Sequence, residues 1–129
     1  MTDTTPPVIR MRKRRDFLAV KRNVRWRGTS LRIEARHRNN NENITPPDTI
    51  RVGFTATRVT VGNAVKRNRT LRRLRAATQN IAPANFTPGG DYVIIATDKT
   101  LNAPWNELTR ELKRGLADVA RRFQNKNTK

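Results

Sequence analysis

The sequence predicts a small α+β domain in which helices pack against one β-sheet. Its 129 residues suffice for a single domain with a core of its own. Three patterns carry this prediction: residues 31–36 alternate between apolar and charged side chains, residues 91–97 form a continuous apolar run, and residues 105–123 repeat apolar side chains at helical spacing. The elements follow the order α-β-β-α-β-α, which favours a single small α–β sandwich.

The N-terminal half is predicted to supply one helix and two strands. Apolar residues indicate a short helix over 13–22, and a half-buried strand follows at 31–36. A second strand, at 50–59, contains Gly53, and a glycine inside a strand predicts a bulge or a close approach of the backbone to another group. Outside these elements lie a loose N-terminal arm and a turn-rich loop, at 1–8 and 39–49.

The C-terminal half is predicted to supply two helices and a central strand. Asn63 is a suitable N-cap for a helix over 63–79. The apolar run at 91–97 indicates a strand buried on both faces. A last helix begins near Pro104, and the tail at 124–129 should fray. Its predicted core stripe is Trp105, Leu108, Leu112, Leu116, Val119 and Phe123.

Charge limits the function more than any other property of the chain. There are 28 lysines and arginines against 10 acidic residues, a formal net charge of +18. Such self-repulsion is tolerated when the partner is a polyanion, and nucleic acid is the foremost candidate. The absence of cysteine excludes disulfides and cysteine-based zinc sites. No stretch has the length of an apolar membrane span, so the sequence predicts a cytoplasmic protein with no membrane partner.

The predicted helix at 63–79 divides into an apolar face and a cationic face on a helical wheel. The apolar face takes Ala64, Leu71, Leu74 and Thr78, the cationic face takes Lys66, Arg69, Arg72 and Arg73, and the seam takes Arg67, Asn68 and Arg75. No acidic residue occurs in this segment to offset the repulsion between like charges. Because a merely solvated face usually mixes charges, this helix is interpreted as a contact surface for RNA phosphates.

Residues that could carry out catalysis are missing from the sequence pattern. His37 is the single histidine, and we expect it to be exposed or to contact phosphate. The carboxylates are scattered, and no nucleophilic triad or phosphate-binding glycine motif occurs. The sequence therefore indicates a binding protein. Phe17 and Trp26 lie in arginine-rich sequence, where both core packing and base stacking are open to them.

One long motif resembles the protein subunit of bacterial ribonuclease P. Its parts are "RVGF" at 51–54, "GNAV" at 62–65 and "RNR" at 67–69, followed by further arginines. The flanking stretches agree with the family: "RRDFLAV" at 14–20, "GGDYVIIA" at 89–96 and "PWNELTRELKRGL" at 104–116. The resemblance extends from about residue 9 to residue 123.

The resemblance implies a fold with one more strand than the residues predict. The family order is α-β-β-β-α-β-α, with a left-handed βαβ crossover like that of the second domain of ribosomal protein S5. The additional strand would come from 55–59, or from a different division of 31–57. One ribonuclease P protein domain would span 1–129, with flexible tails at 1–8 and 124–129.

The resemblance also implies an activity that belongs to a ribonucleoprotein. The enzyme is an endoribonuclease that removes the 5′ leader of precursor tRNA. A catalytic RNA subunit performs the cleavage with Mg²⁺, so no catalytic residue, metal ligand or bound cofactor is expected on the protein. The implied partners are that RNA and the precursor tRNA leader, with one copy of the protein in the complex.

Two groups of site residues carry over by the same resemblance. Residues expected to bind the RNA subunit are Arg58, Asn63, Lys66, Arg67, Asn68, Arg69, Arg72 and Arg73. Residues expected to bind the leader, in a cleft between the first helix and the sheet, are Arg12, Arg14, Phe17, Lys21, Trp26 and Arg32.

Three departures from the family pattern affect those contacts. The loop at 58–61 is one residue longer than usual and keeps a single basic residue. Leu71 stands where a lysine or arginine is common, and Lys21 stands where some members carry a second aromatic of the cleft. A structural ribosomal RNA-binding protein fits the composition equally well. A nuclease acting without RNA fits the scattered carboxylates poorly.

Overall fold

The computed structural model describes residues 6–21, 23–38, 44, 46–81 and 83–127. In this part of the chain five strands and four helices occur, which confirms the mixed α+β architecture. In chain order they are β1 (Val8–Arg10), α1 (Arg14–Val20), β2 (Val24–Arg27), β3 (Leu31–His37), β4 (Ile50–Thr55), α2 (Arg58–Val61), α3 (Ala64–Asn80), β5 (Gly90–Ala96) and α4 (Trp105–Asn127). A short 3₁₀ turn, Pro83–Asn85, precedes β5.

The strands form one sheet in the order β1-β4-β5-β3-β2. β1, β4 and β5 run parallel, while β5, β3 and β2 pair in antiparallel fashion. β5 is central, as its apolar run predicts, and six of its seven residues are buried. The connection between the parallel neighbours β4 and β5 runs through α3. The basic helix is therefore anchored at both ends to the middle of the sheet.

The main core lies between the sheet and the helices α3 and α4. The apolar stripe of α4 is confirmed at five of its six positions, from Leu108 to Phe123, each at most 3% exposed. The prediction of Trp105 as a core residue is wrong, because its side chain is 41% exposed. Its ring lies instead near the guanidinium of Arg73, 5.9 Å from the ring centroid. None of the described helices combines the length and the apolar character that a bilayer span requires.

The opposite face of the sheet carries a smaller apolar cluster under α1. Met11, Val20 and Val93 are buried there, with Phe17 and Ile95 packed against them. Of the described helices, α1 is the one that contacts this face. The face is therefore only partly covered, in contrast to the side beneath α3 and α4.

Two strands escape the sequence prediction, and one predicted strand is too long. β1 begins at Val8, inside the predicted loose arm, and β2 lies between two predicted elements. They have three and four residues, too few to establish an alternation. The resemblance implied one additional strand, whereas the structure has two, and neither of them comes from 55–59 or from a division of 31–57. The strand predicted over 50–59 ends at Thr55, because residues 58–61 form the helical turn α2.

The predicted tails and the predicted loop at 39–49 can be compared with the structure only in part. α4 extends to Asn127, four residues into the predicted tail. Most of the loop predicted over 39–49 and most of the N-terminal arm lie outside the described residues.

Candidate nucleic-acid interface

The start of α3 is fixed by two side-chain caps and one glycine. The hydroxyl of Thr57 accepts a hydrogen bond from the backbone N–H of Thr60 at 3.2 Å, which caps the N-terminus of α2, the helical turn just before α3. Gly62 follows with φ at +115°, a conformation that favours glycine. The side-chain oxygen of Asn63 then accepts from the N–H of Lys66 at 3.0 Å, which confirms the predicted N-cap. The chain thus turns sharply and presents α3 beside α2.

The outer side of α3 and the turn before it present cations without acidic neighbours in the helix. Six residues of the predicted RNA-subunit site are exposed here: Arg58, Asn63, Lys66, Asn68, Arg69 and Arg72. Arg67 is half-buried, and its Nε is buried without a hydrogen-bond partner in the described part of the chain. Three of the four residues on the cationic face of the helical wheel are thus exposed. Together with the other residues named here they form what we call the α3 surface: Arg58, Asn63, Lys66, Arg67, Asn68, Arg69 and Arg72.

The inner side of α3 differs from the wheel at its first turn. Leu74 and Thr78 are buried as predicted, together with Thr70. Ala64 is exposed, which corrects its place on the apolar face, and Leu71 is only half-buried. The physical reason is that the first buried residue, Thr70, comes six residues after the helix begins, so the first turn projects beyond the core.

Arg73 differs from the other arginines of α3 because its guanidinium contacts the protein. Its Nη1 donates hydrogen bonds to the carbonyl oxygens of Thr100 at 2.6 Å and Leu101 at 3.2 Å. The same guanidinium lies over the exposed ring of Trp105. Arg73 therefore links α3 to the loop between β5 and α4, which a helical wheel of α3 alone does not show.

Phe17 of α1 rests directly on the backbone of β4. A methyl group built on Gly53 would lie 2.5 Å from Cζ of the Phe17 ring, closer than atoms can approach. The glycine predicted to mark a close approach thus marks the seat of Phe17. The ring itself is half-buried, on the sheet face that α1 covers only in part. We call this part of the sheet, formed by Phe17 and the neighbouring residues Met11, Val20, Val93 and Ile95, together with the side chains around it, the α1 cleft.

Exposed cations surround the α1 cleft. Arg12, Arg14 and Lys21 are exposed on and beside α1. Arg32 is also exposed, and it pairs in register with Ile95, one of the residues under α1. Side chains directly opposite one another in neighbouring strands point to the same face. The structure therefore brings Arg32 to the same side of the sheet as Phe17.

Trp26 lies on the other side of the sheet. It is 8% exposed and belongs to the main core, where it pairs in register with the buried Ile33. Its indole N–H donates to a carboxylate oxygen of Asp118 in α4 at 2.8 Å. Of the two roles left open by the sequence, the structure shows core packing, and it does not bring Trp26 to Phe17.

A buried carboxylate, that of Asp91, lies on the same face of the sheet as the α1 cleft, and the sequence did not predict its role. Asp91 is fully buried and contacts Arg38 at 2.6 Å, Arg51 at 2.7 Å and Arg36 at 3.1 Å. Arg51 also contacts Asp16 of α1 at 3.3 Å, so the cluster connects the sheet to the helix that carries Phe17. Burial raises the pKa of Asp91, but the hydrogen bonds and charges of Arg51 and Arg38 outweigh it and bring the pKa below its usual value. The same hydrogen bond with Asp91 raises the pKa of Arg51.

The described residues supply surfaces for binding but no cluster suited to metal chemistry. No group of three histidine, cysteine or acidic side chains lies close enough together to hold a metal ion in this part of the chain. Asp91, the most buried carboxylate of the α1 side, is already paired with arginines. The arrangement can therefore bind phosphates along α3 and stack an unpaired base near Phe17.

The sequence of this chain is similar to those of known proteins. A sequence model of the Ribonuclease P family matches residues 6–120. The chain is 43% identical over 109 residues to the ribonuclease P protein component of Brucella suis, which covers 83% of this chain and 77% of that one. It is 46% identical over 105 residues to the component from Bartonella quintana, covering 81% and 78%. With the Caulobacter vibrioides component it shares 40% identity over 121 residues, covering 93% and 76%.

Solved structures share the fold at lower sequence identity. The ribonuclease P protein of Staphylococcus aureus superposes with a TM-score of 0.65 at 22% identity, covering 85% of this chain and 94% of that one. The protein from Thermotoga maritima gives a TM-score of 0.65 at 23% identity, covering 83% and 94%.

Proposed function

Because the chain belongs to the ribonuclease P protein family, whose members serve in tRNA 5′ processing as subunits of a ribonucleoprotein endonuclease, we propose how its two surfaces divide the RNA. The α3 surface binds the catalytic RNA subunit, and the α1 cleft binds the 5′ leader of precursor tRNA. The two surfaces lie on opposite sides of one sheet, so a single copy of the protein contacts both RNAs at once.

The observation that carries this proposal is the acid-free cationic surface of α3. The residues proposed to contact the RNA subunit are Arg58, Asn63, Lys66, Arg67, Asn68, Arg69 and Arg72. Arg73 supports the surface by holding α3 against the β5–α4 loop. A protein making 6–10 phosphate contacts loses about 10³–10⁵ in affinity between 50 and 200 mM salt, and a shallow salt dependence would contradict this assignment.

The leader is proposed to lie across the α1 cleft. Phe17 offers a half-buried ring for base stacking, and Arg12, Arg14, Lys21 and Arg32 supply exposed cations around it. Trp26 is left out of this proposal, because its ring is enclosed in the core and its N–H is bonded to a carboxylate of α4. Lys21, in place of a second aromatic, would contact the leader backbone.

Catalysis is proposed to come from the RNA subunit with Mg²⁺. The chain contributes cations that offset repulsion between two RNAs, and a cleft that raises affinity for substrates with a leader. The location we propose is the cytoplasm, where precursor tRNA is made.

Reconstitution with ribonuclease P RNA tests the proposal directly. We expect the purified protein to increase 5′ processing of precursor tRNA by that RNA at low Mg²⁺, where RNA repulsion is least screened. No gain on adding the protein would refute it. Protein freed of RNA that still cleaves precursor tRNA would show a nuclease acting alone, and co-purification with ribosomal subunits would favour the structural ribosomal alternative.

A further inference from the structure

A groove on the α3 side of the sheet has no place in the functions assigned so far. It runs between the edge strand β1, the neighbouring strand β4 and the C-terminal half of α3. Its lining residues are Val8, Ile9, Arg10, Val52, Phe54, Arg75, Thr78 and Gln79. Since β1 pairs on one side with β4 and ends the sheet on the other, the groove opens at the edge of the molecule.

The groove faces away from the α1 cleft. Arg10 of β1 pairs in register with Val52, which is buried in the main core beneath α3 and α4. Phe54, two residues further along β4, points to the same side. Phe17 and Gly53 belong to the other face, so this groove and the leader cleft are separate sites.

The floor of the groove is apolar and partly aromatic. Val52 and Thr78 are buried beneath it, Phe54 is half-buried, and Val8 is 41% exposed at its margin. Its volume is about 160 Å³. A cavity of about 150 Å³ accommodates one benzene ring, so the groove has room for one small aromatic ring but not for a drug-sized ligand.

Two arginines line the groove, and neither has an acidic partner among the described residues. Arg10 is exposed and Arg75 half-buried, and neither makes an ion pair with the described residues. Partial desolvation lowers the pKa of Arg10, and the positive charges of Arg75 and Arg12 lower it further, as expected for like charges that repel one another. An anion placed there would relieve this repulsion, and a phosphate suits two guanidinium groups.

We propose that this groove holds one unpaired nucleotide of RNA, with its base against Phe54 and Val52 and its phosphate between Arg10 and Arg75. The combination of a ring-sized apolar floor and a paired cationic mouth matches a single nucleotide. An apolar peptide strand added at the edge of β1 would leave the two arginines without a counter-charge. The proposal rests on the RNA-binding function proposed above, and it adds a third contact site.

The nucleotide can come from the RNA subunit or from the leader, and the test has one arm for each source. Arg10→Gln/Arg75→Gln removes both charges, while Arg110→Gln/Arg114→Gln removes two exposed charges of α4 as a matched control. We expect the groove variant to lose at least about tenfold in affinity, the lower end of what a hydrogen bond to a charged group contributes. If the variant already loses affinity for ribonuclease P RNA in the absence of precursor tRNA, the nucleotide belongs to the RNA subunit. A loss confined to the assembled holoenzyme with leader-bearing precursor tRNA assigns it to the leader.

Stability separates a binding role from a structural one. Because the groove variant removes a repulsion, its melting temperature should stay equal to that of the wild type or rise. An affinity no lower than that of the α4 control in both arms would overturn the proposal, provided the wild type increases 5′ processing. A wild type that gives no such gain would instead refute the proposed function itself.

Site-directed photo-crosslinking tests directly whether RNA lies in the groove. The chain has no cysteine, so Gln79→Cys places a unique thiol at the groove and Lys113→Cys places one on exposed α4 as the control. A short thiol-linked photo-crosslinker at position 79 should join a narrow set of RNA nucleotides. Crosslinks scattered as widely as those from position 113 would contradict a bound nucleotide.

Discussion

Replacing Asp91 with asparagine removes a fully buried negative charge that three arginines share. Arg38, 3% exposed, and Arg51, 12% exposed, would keep their charges with little access to water. Breaking a buried ion pair by removing one partner costs about 3–5 kcal/mol. Arg38 retains hydrogen bonds to the backbone carbonyls of Pro47 and Thr49, so we expect the lower half of that range, about 3–4 kcal/mol. For a chain of this length that corresponds to a fall in Tm of roughly 10–15 °C.

The buried charge of Asp91 should also make the stability of the protein depend on pH. The pKa of Asp91 lies below its ordinary value of 3.8 in the folded protein. Its stabilising effect is therefore complete above the unfolded-state pKa, and it is lost as pH falls through the lower folded-state pKa. The free energy of unfolding of the wild type should therefore decrease as the pH drops below about 4. The asparagine variant should lack the part of this decrease that comes from protonating Asp91.

Urea denaturation followed by tryptophan fluorescence measures both effects. Asp98→Asn is the matched control, because Asp98 is exposed in the turn after β5 and its replacement changes net charge equally. If Asp91→Asn costs no more than this control, or if both proteins lose stability in parallel on acidification, the buried cluster does not stabilise the sheet as argued.

Four further substitutions test single residues of the two surfaces and of the main core. Gly53→Ala should displace the ring of Phe17, cost about 1–3 kcal/mol of stability through overpacking, and reduce the affinity of the holoenzyme for leader-bearing substrate more than for leaderless substrate. Arg73→Ala should lower stability by about 1–2 kcal/mol, since its charged hydrogen bonds to backbone carbonyls are lost. Arg72→Ala should leave stability within about 0.5 kcal/mol but lower the salt slope of RNA binding by about 0.7–0.9, and equal stabilities of the two variants would contradict the distinction. Trp26→Phe should cost about 1–3 kcal/mol by removing the indole N–H that donates to the partly buried carboxylate of Asp118, and a loss of leader affinity without loss of stability would show that Trp26 stacks on the leader instead.

The elements predicted correctly are those whose signal is local and long. β5 carries an unbroken apolar run, and α4 repeats its apolar residues over five turns, so both follow from the sequence alone. Asn63 and Gly53 could also be interpreted locally, because capping and close backbone approach depend on single residue types. The α3 surface follows from the helical wheel and the absence of acidic residues.

The features that escaped prediction depend on contacts between distant parts of the chain. Asp91 meets its three arginines only because β5 lies between β3 and β4, a pairing that no local pattern encodes. Trp26 could not be assigned to a face because β2 has only four residues, and a shift of one residue would have reversed its orientation. Arg73 has the same spacing as its neighbours, and only the packing of the β5–α4 loop distinguishes it.

The division of labour between the two surfaces is tested most directly by the leader preference of the reconstituted holoenzyme. The measurement is the ratio of affinities for precursor tRNA with and without its 5′ leader, in wild type, Phe17→Ala and Arg72→Ala. We expect Phe17→Ala to reduce this ratio about 5- to 150-fold, which corresponds to the 1–3 kcal/mol that one stacked base contributes. Arg72→Ala should weaken assembly with the RNA subunit and leave the ratio unchanged. A ratio unaffected by Phe17→Ala, or one reduced equally by both variants, would contradict the assignment of the leader to the α1 cleft.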